Sequence, residues 1–190
     1  MSPLLTGVLA SGISGHLSVT GNLVSLQTVT VGSGGASSIT FSSIPQTYTH
    51  LQIRGIARST YNTGGSTSLI IQPNGNSTIS NYSVHLMDGN GSSLSVYGAS
   101  GDYPQSSISN ATTTSGIFGA AIIDILDYTN TNKYKTIRAL GGNDNNGSGT
   151  IRFSSGALYS DTNAITSITL LSGASASLTQ YSTFALYGVK

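Results

Sequence analysis

Apolar and polar positions alternate with a period of two along most of this chain, which is the pattern of half-buried antiparallel strands. The clearest stretch is SSITFSSIPQTYTHLQIRGIAR, residues 37–58. Ile39 and Phe41 alternate with hydroxyl residues, and Ser43, Ile44 and Pro45 break the run. Leu51, Ile53, Gly55 and Ala57 then fall on one face, with His50, Gln52, Arg54 and Arg58 on the other. Two strands joined through a proline corner, opening a β-sandwich, are the expectation.

The rest of the pattern extends that reading. LVSLQTVTV (23–31), SLIIQ (68–72), Tyr82–Met87, KYKTIRAL (133–140), TIRFS (150–154), AITSITLL (164–171) and STFALYGV (182–189) read as strands, and Leu94–Tyr97 as a short edge strand. The most hydrophobic stretch, GIFGAAIIDILDY (116–128), has β-branched isoleucines, internal glycines and no 3.6 periodicity, so it reads as a central strand. Asn-Gly and Asp-Gly pairs at 74–75, 88–89 and 146–147 mark reversals, because these residues take positive φ at low cost. GASGDYPQSSISNATTTS (98–115) has no apolar periodicity and reads as a long surface loop. About nine or ten short strands with even turn spacing, and no internal repeat, predict an all-β fold. The expected form is an antiparallel two-sheet β-sandwich of jelly-roll type over residues 23–190, with an extended N-terminal docking arm over residues 1–22. In that arm Leu4, Leu5, Val8, Leu9, Ile13 and Leu17 have nothing local to bury against, so they are expected to dock on a neighbour or on the sandwich itself. The first fifteen residues lack a positive n-region and the apolar run is short, which argues against a signal peptide or a transmembrane helix.

Composition changes the picture at the surface. Only 7% of the 190 residues are charged, where roughly 25% is usual, so the exterior must be built from Ser, Thr, Asn, Gln and Gly. Such a surface repels its own copies little and suits a protein packed in an assembly. The formal net charge of +1 supports no nucleic-acid partner, since phosphate contacts need clustered Lys and Arg. The chain has no cysteine, hence no disulfide and no thiolate chemistry.

Candidate chemistry is sparse. Asp124 and Asp127 are three apart on a predicted strand, so their side chains point to opposite faces and cannot share a catalytic site; turn and cross-hairpin roles are expected, with Arg138 or Lys135 as partner. The Asn/Asp/Gly stretches at 74–76, 88–91 and 141–147 lack the carboxylates of a calcium loop, and the chain has no glutamate. His16, His50 and His85 lack zinc-ligand spacing. Gly98–Asp102 is a near-match to a serine-hydrolase elbow without its last glycine. Lys133, Lys135 and Arg138 concentrate charge in six residues and read as a small solvated patch. No catalytic residue, metal or cofactor is expected. Tyr61, Tyr97 and Tyr103 on or near loops are candidates for stacking on sugar rings, with core or interface roles as the competing reading.

Four strings carry a family resemblance: FSSIPQTYTHLQIR (41–54), IIDILDYTNTNKYKTIR (122–138), DNNGSG (144–149) and YSTFALYGVK (181–190). Together they resemble a family of small virion structural proteins of tailed bacteriophages, abundant among cyanophage-like sequences. The opening SPLLTGVLASGISGH (2–16) is similar to the arm ahead of that domain in some members. The resemblance implies a β-sandwich displayed on the virion, as a head decoration (cement) protein or a head or tail fibre; it does not imply an active site. The expected partners are other virion proteins, a major capsid or tail/fibre protein, and further copies of the chain, with a homotrimer favoured. No membrane or nucleic acid is expected. The alternative is a tail-fibre or receptor-binding module that contacts host-surface glycans through loops 59–66, 98–115 and 141–149.

Overall fold

A computed structural model describes residues 22–190. Twelve strands account for most of them: β1 (Leu23–Thr30), β2 (Ser38–Phe41), β3 (His50–Ala57), β4 (Ser66–Pro73), β5 (Tyr82–Gly89), β6 (Leu94–Ser100), β7 (Gln105–Ser109), β8 (Gly119–Leu126), β9 (Lys135–Asp144), β10 (Gly149–Leu158), β11 (Ile168–Ser172) and β12 (Thr183–Val189). Two short 3-10 turns, Ile79–Asn81 and Gly173–Ser175, are the only helical elements among the described residues. The strands form two antiparallel sheets, one of eight in the order β1-β12-β3-β8-β9-β10-β5-β6 and one of four in the order β2-β11-β4-β7. The expected all-β, two-sheet sandwich is therefore what the chain forms. The arm expected over residues 1–22, including Leu4, Leu5, Val8, Leu9, Ile13 and Leu17, lies outside the described residues apart from Asn22.

The topology is that of a jelly roll with additions. From β2 to β8 the chain passes back and forth between the sheets: β2, β4 and β7 enter the small sheet, while β3, the β5–β6 pair and β8 enter the large one. The return strand β11 then pairs between β2 and β4. In the large sheet the β9–β10 hairpin is wedged between β8 and β5, and β12 and β1 extend the sheet beyond β3. Each added strand widens a sheet by about 4.8 Å, so the large sheet outgrows the small one that covers it.

Alternation places the core between the sheets. Leu51 and Ile53 of β3, Ile123 and Ile125 of β8, and Leu69 and Ile71 of β4 are fully buried, together with Phe41 and Phe184. The proline corner does more than turn the chain: β2 and β3 belong to different sheets, and the segment between them is where the chain crosses the sandwich. The Asn-Gly signals act as expected. Asn146 (φ 57) and Gly147 (φ 85) make the tight turn between β9 and β10, and Asn74 (φ 51) with Gly75 (φ 64) the reversal after β4.

Residues 98–115 depart from the expected surface loop. They contain part of β6 and the whole of β7, QSSIS, every residue of which is buried. This strand lies across β8, β9 and β10. It comes so close that a Cβ on Gly141 would collide with Ser106 Oγ, and one on Gly119 would stand 2.7 Å from the Ser109 nitrogen. Glycine below and serine above let two backbones approach where ordinary side chains would hold the sheets about 10 Å apart.

Candidate functional site

Two surfaces stand out, an apolar sheet face and a polar cleft. The first follows from register. On the outward side of the large sheet, Ile122, Leu140, Phe153, Met87 and Val96 are cross-strand partners in one row over β8, β9, β10, β5 and β6. A second row runs Ile56, Ala120, Gly142, Ile151, Gly89 and Leu94. The large side chains in these rows are 43–72% exposed. Two shallow grooves cross the band, one of ≈ 510 Å³ between Met87, Val96, Tyr97 and Phe153, and one of ≈ 390 Å³ between Ile122, Leu140 and Ile151. A parallel row of polar residues borders it: Gln52, Asp124, Arg138, Ser155 and His85. Asp124 accepts a hydrogen bond from Gln52 Nε2 at 2.8 Å. Arg138 faces Asp124 in register but forms no ion pair or side-chain hydrogen bond among the described residues. By contrast, the outward side of the small sheet carries Thr40, Thr169 and Gln72 in one row, with the two threonine hydroxyls bonded at 2.9 Å.

The second surface is a cleft of ≈ 400 Å³ at one end of the sandwich, lined by Gly64, Gly65, Asn90, Thr113, Asn143, Asn145 and the turn that follows. It gathers residues from all three loops expected to contact a glycan, 59–66, 98–115 and 141–149. Every side chain there is a neutral amide or hydroxyl. Asn143 Nδ2 donates to the Gly65 carbonyl, while its Oδ1 is buried without a hydrogen-bond partner. Arg58 fixes the middle loop. Its guanidinium donates to Thr113 Oγ1 and to the carbonyls of Ala111, Thr113, Thr114 and Ile117 at 2.8–3.3 Å.

The three tyrosines singled out from the sequence are not brought together, and none lines the cleft. Tyr103 packs at 5.0 Å on Tyr82 and donates its hydroxyl to the Ser77 carbonyl, a structural post. Tyr61 is half-buried, and its carbonyl accepts from Ala111 N. Tyr97 is exposed on β6 and borders the larger apolar groove.

The charged side chains serve architecture. Lys135 is not part of a solvated patch: it is 1% exposed, and its ammonium donates to the carbonyls of Asn130, Lys133 and Thr162 at 2.5–3.0 Å. Burial lowers its pKa below the usual lysine value. Asp127, at the turn after β8 with φ 48, accepts from Lys133 Nζ at 2.7 Å, and that bond holds its carboxyl below the ordinary range. Its backbone N–H donates to His50 Nδ1. Arg152 forms a two-pronged pair with Asp88 at 2.6–2.7 Å and also donates to Ser68 Oγ and Gln105 Oε1, tying the two sheets together. Asp144 Oδ1 accepts from Gly147 N inside its own turn. No group of three or more His, Asp or Glu able to hold a metal occurs among the described residues, and no described helix is long and apolar enough to cross a membrane.

The sequence signal for the apolar face is present but easy to misread. The run at 116–128 is hydrophobic on both strand faces, which sheet packing explains only if both faces are covered.

Compared with family models, with curated proteins and with solved structures, the chain matches none.

Proposed function

We propose that this chain is a non-enzymatic structural protein of a tailed-phage virion, a capsid decoration (cement) or head-fibre protein on the particle surface. The observation behind the reading is the bare apolar band on the large sheet, which a protein acting alone in water has reason to avoid and an assembly component has reason to keep. The low-charge, hydroxyl-rich exterior and the family resemblance of residues 41–54, 122–138 and 181–190 support it. In this reading residues 1–22 dock on a neighbouring capsid or fibre protein, and many copies turn weak contacts into firm retention. Particles assembled with protein lacking residues 1–20, or carrying Leu140→Lys, are expected to lose occupancy. Full occupancy by both variants, measured by quantitative electrophoresis of purified particles, overturns the proposal.

A second reading, attachment to host-surface glycans, is favoured by the amide- and hydroxyl-lined cleft. Neutral hydrogen-bonding groups match the chemistry of an uncharged sugar. A glycan array on the wild-type chain, repeated with Asn145→Ala and Asn143→Ala, tests it. Bound glycans lost in both variants support the reading, and an array without binders removes it.

A further inference from the structure

We infer that the outward face of the eight-stranded sheet is a contact between two copies of this chain, related by a twofold axis along the strands between β9 and β10. The inference rests on the reading of that face as an assembly surface and names what covers it.

Size comes first. Six strands, β3 to β6 in sheet order, span about 29 Å at ~4.8 Å each, and three residue rows cover about 20 Å along them. The face, its polar border row included, is therefore on the order of 600 Å² before its standing side chains are counted, with the two apolar rows making about 390 Å² of it, against the ~800 Å² per partner of a stable interface. The apolar rows match in extent the largest such patch a single protein carries, and a patch of that size often has a function.

Complementarity then selects the occupant. The centre of the band lies between β9 and β10, with three strands on either side. A twofold there lays β9 on β10, β8 on β5 and β3 on β6 of the second copy while keeping each row on itself. Leu140 then meets Phe153, Ile122 meets Met87, and Ile56 meets Leu94, so the large apolar residues of one copy face those of the other. At the margin Val96 meets Arg54, whose aliphatic stem can cover it. In the bordering row Asp124 meets His85 and Arg138 meets Ser155. His85, whose ring lies over Gly98, makes no side-chain hydrogen bond among the described residues, and Arg138 likewise makes none. Groups left unpaired in one copy are thus offered partners by the other, twice over, which is the mark of an isologous contact. This twofold pairing is an alternative to a trimer.

Sedimentation equilibrium of the full chain between about 1 and 100 µM tests the inference, with circular dichroism and thermal melting to establish folding. A dimer is expected, with its dissociation constant raised at least ~100-fold by Leu140→Lys and by Phe153→Lys, and unchanged by Thr40→Lys on the opposite face of the sandwich. Leu140 and Phe153 are 48% and 45% exposed, so both variants are expected to fold. A monomer at 100 µM, a trimer, or a dimer indifferent to both lysines overturns the inference. The assembly reading is separable: a monomeric wild type whose Leu140→Lys form is lost from particles keeps that reading and discards the second copy. A dimer whose Leu140→Lys form and arm-less form are both incorporated at full occupancy keeps the second copy and discards that reading.

Discussion

Strand β7 and the outward face of β8–β10 invert the ordinary relation between polarity and burial. In β7 the residues Gln105, Ser106, Ser107 and Ser109 are buried, with the hydroxyls of the three serines unpartnered. On the far side of the eight-stranded sheet against which β7 packs, Ile122, Leu140, Ile151 and Phe153 face outward. Two separate requirements therefore set side-chain type here. Backbone proximity governs the first region, because only small side chains fit over Gly119 and Gly141. Exclusion of water is the requirement in the second, because isoleucine, leucine and phenylalanine gain there only when it is met.

The largest expected effect comes from breaking the first region. Gly141→Val would drive its side chain into Ser106 Oγ and into the carbonyls of Ala120 and Ser107, all within 2.9 Å of where its Cβ would stand, and is expected to cost more than about 4 kcal/mol or to abolish folding. Urea unfolding followed by circular dichroism reads it. A loss under about 1 kcal/mol would mean that β7 is not seated on β9.

Next in size is Arg152→Met, which leaves Asp88 largely buried without its partner and frees Ser68 and Gln105. A loss of roughly 3 kcal/mol in the same assay is expected. Lys135→Met removes the donor shared by three carbonyls and is expected to cost about 2 kcal/mol, with a lowered melting temperature. In the second region, Leu140→Ser should change the stability of the isolated subunit by less than about 0.5 kcal/mol, as an exposed site does. A larger loss at dilutions where the chain is a monomer would show that the face is already covered from within.

The smallest effect is a pH dependence. The carboxyl of Asp127 is held below its ordinary value of 3.8 mainly by the hydrogen bond from Lys133. Its folded-state affinity for a proton is thus lower than that of the unfolded chain, so its contribution is present above pH 3.8 and is lost as pH falls through the lowered folded value. Asp127→Asn should flatten that part of the stability profile, and an unchanged acid limb would show that the pair contributes nothing.

How much is legible in the sequence follows from the same contrast. Strands that bury one face, such as His50–Ala57 and Thr183–Val189, announce themselves by alternation, and Asn146-Gly147 sets its hairpin turn by chemistry alone. Strand β7 is hidden because it is covered on both faces yet contains one large apolar residue, Ile108, and alternation has nothing to display when space instead of solvent selects the side chain. Lys135 reads as solvated because the carbonyls that receive it come partly from Thr162, remote in sequence. The loops that meet at the polar cleft are visible as long polar connections, which gather at sandwich ends. Asn90 lies outside those connections and reaches the cleft through the pairing of β5 with β10.

The wedged hairpin of β9 and β10 carries a mechanical implication. Its middle bears Leu140, Ile151 and Phe153, and its tip, Asn145 to Gly149, forms one wall of the cleft. A ligand pulling on that tip would load the same two strands that carry the greasy face, along their length, in the direction where a hydrogen-bonded ribbon resists by shearing many bonds together.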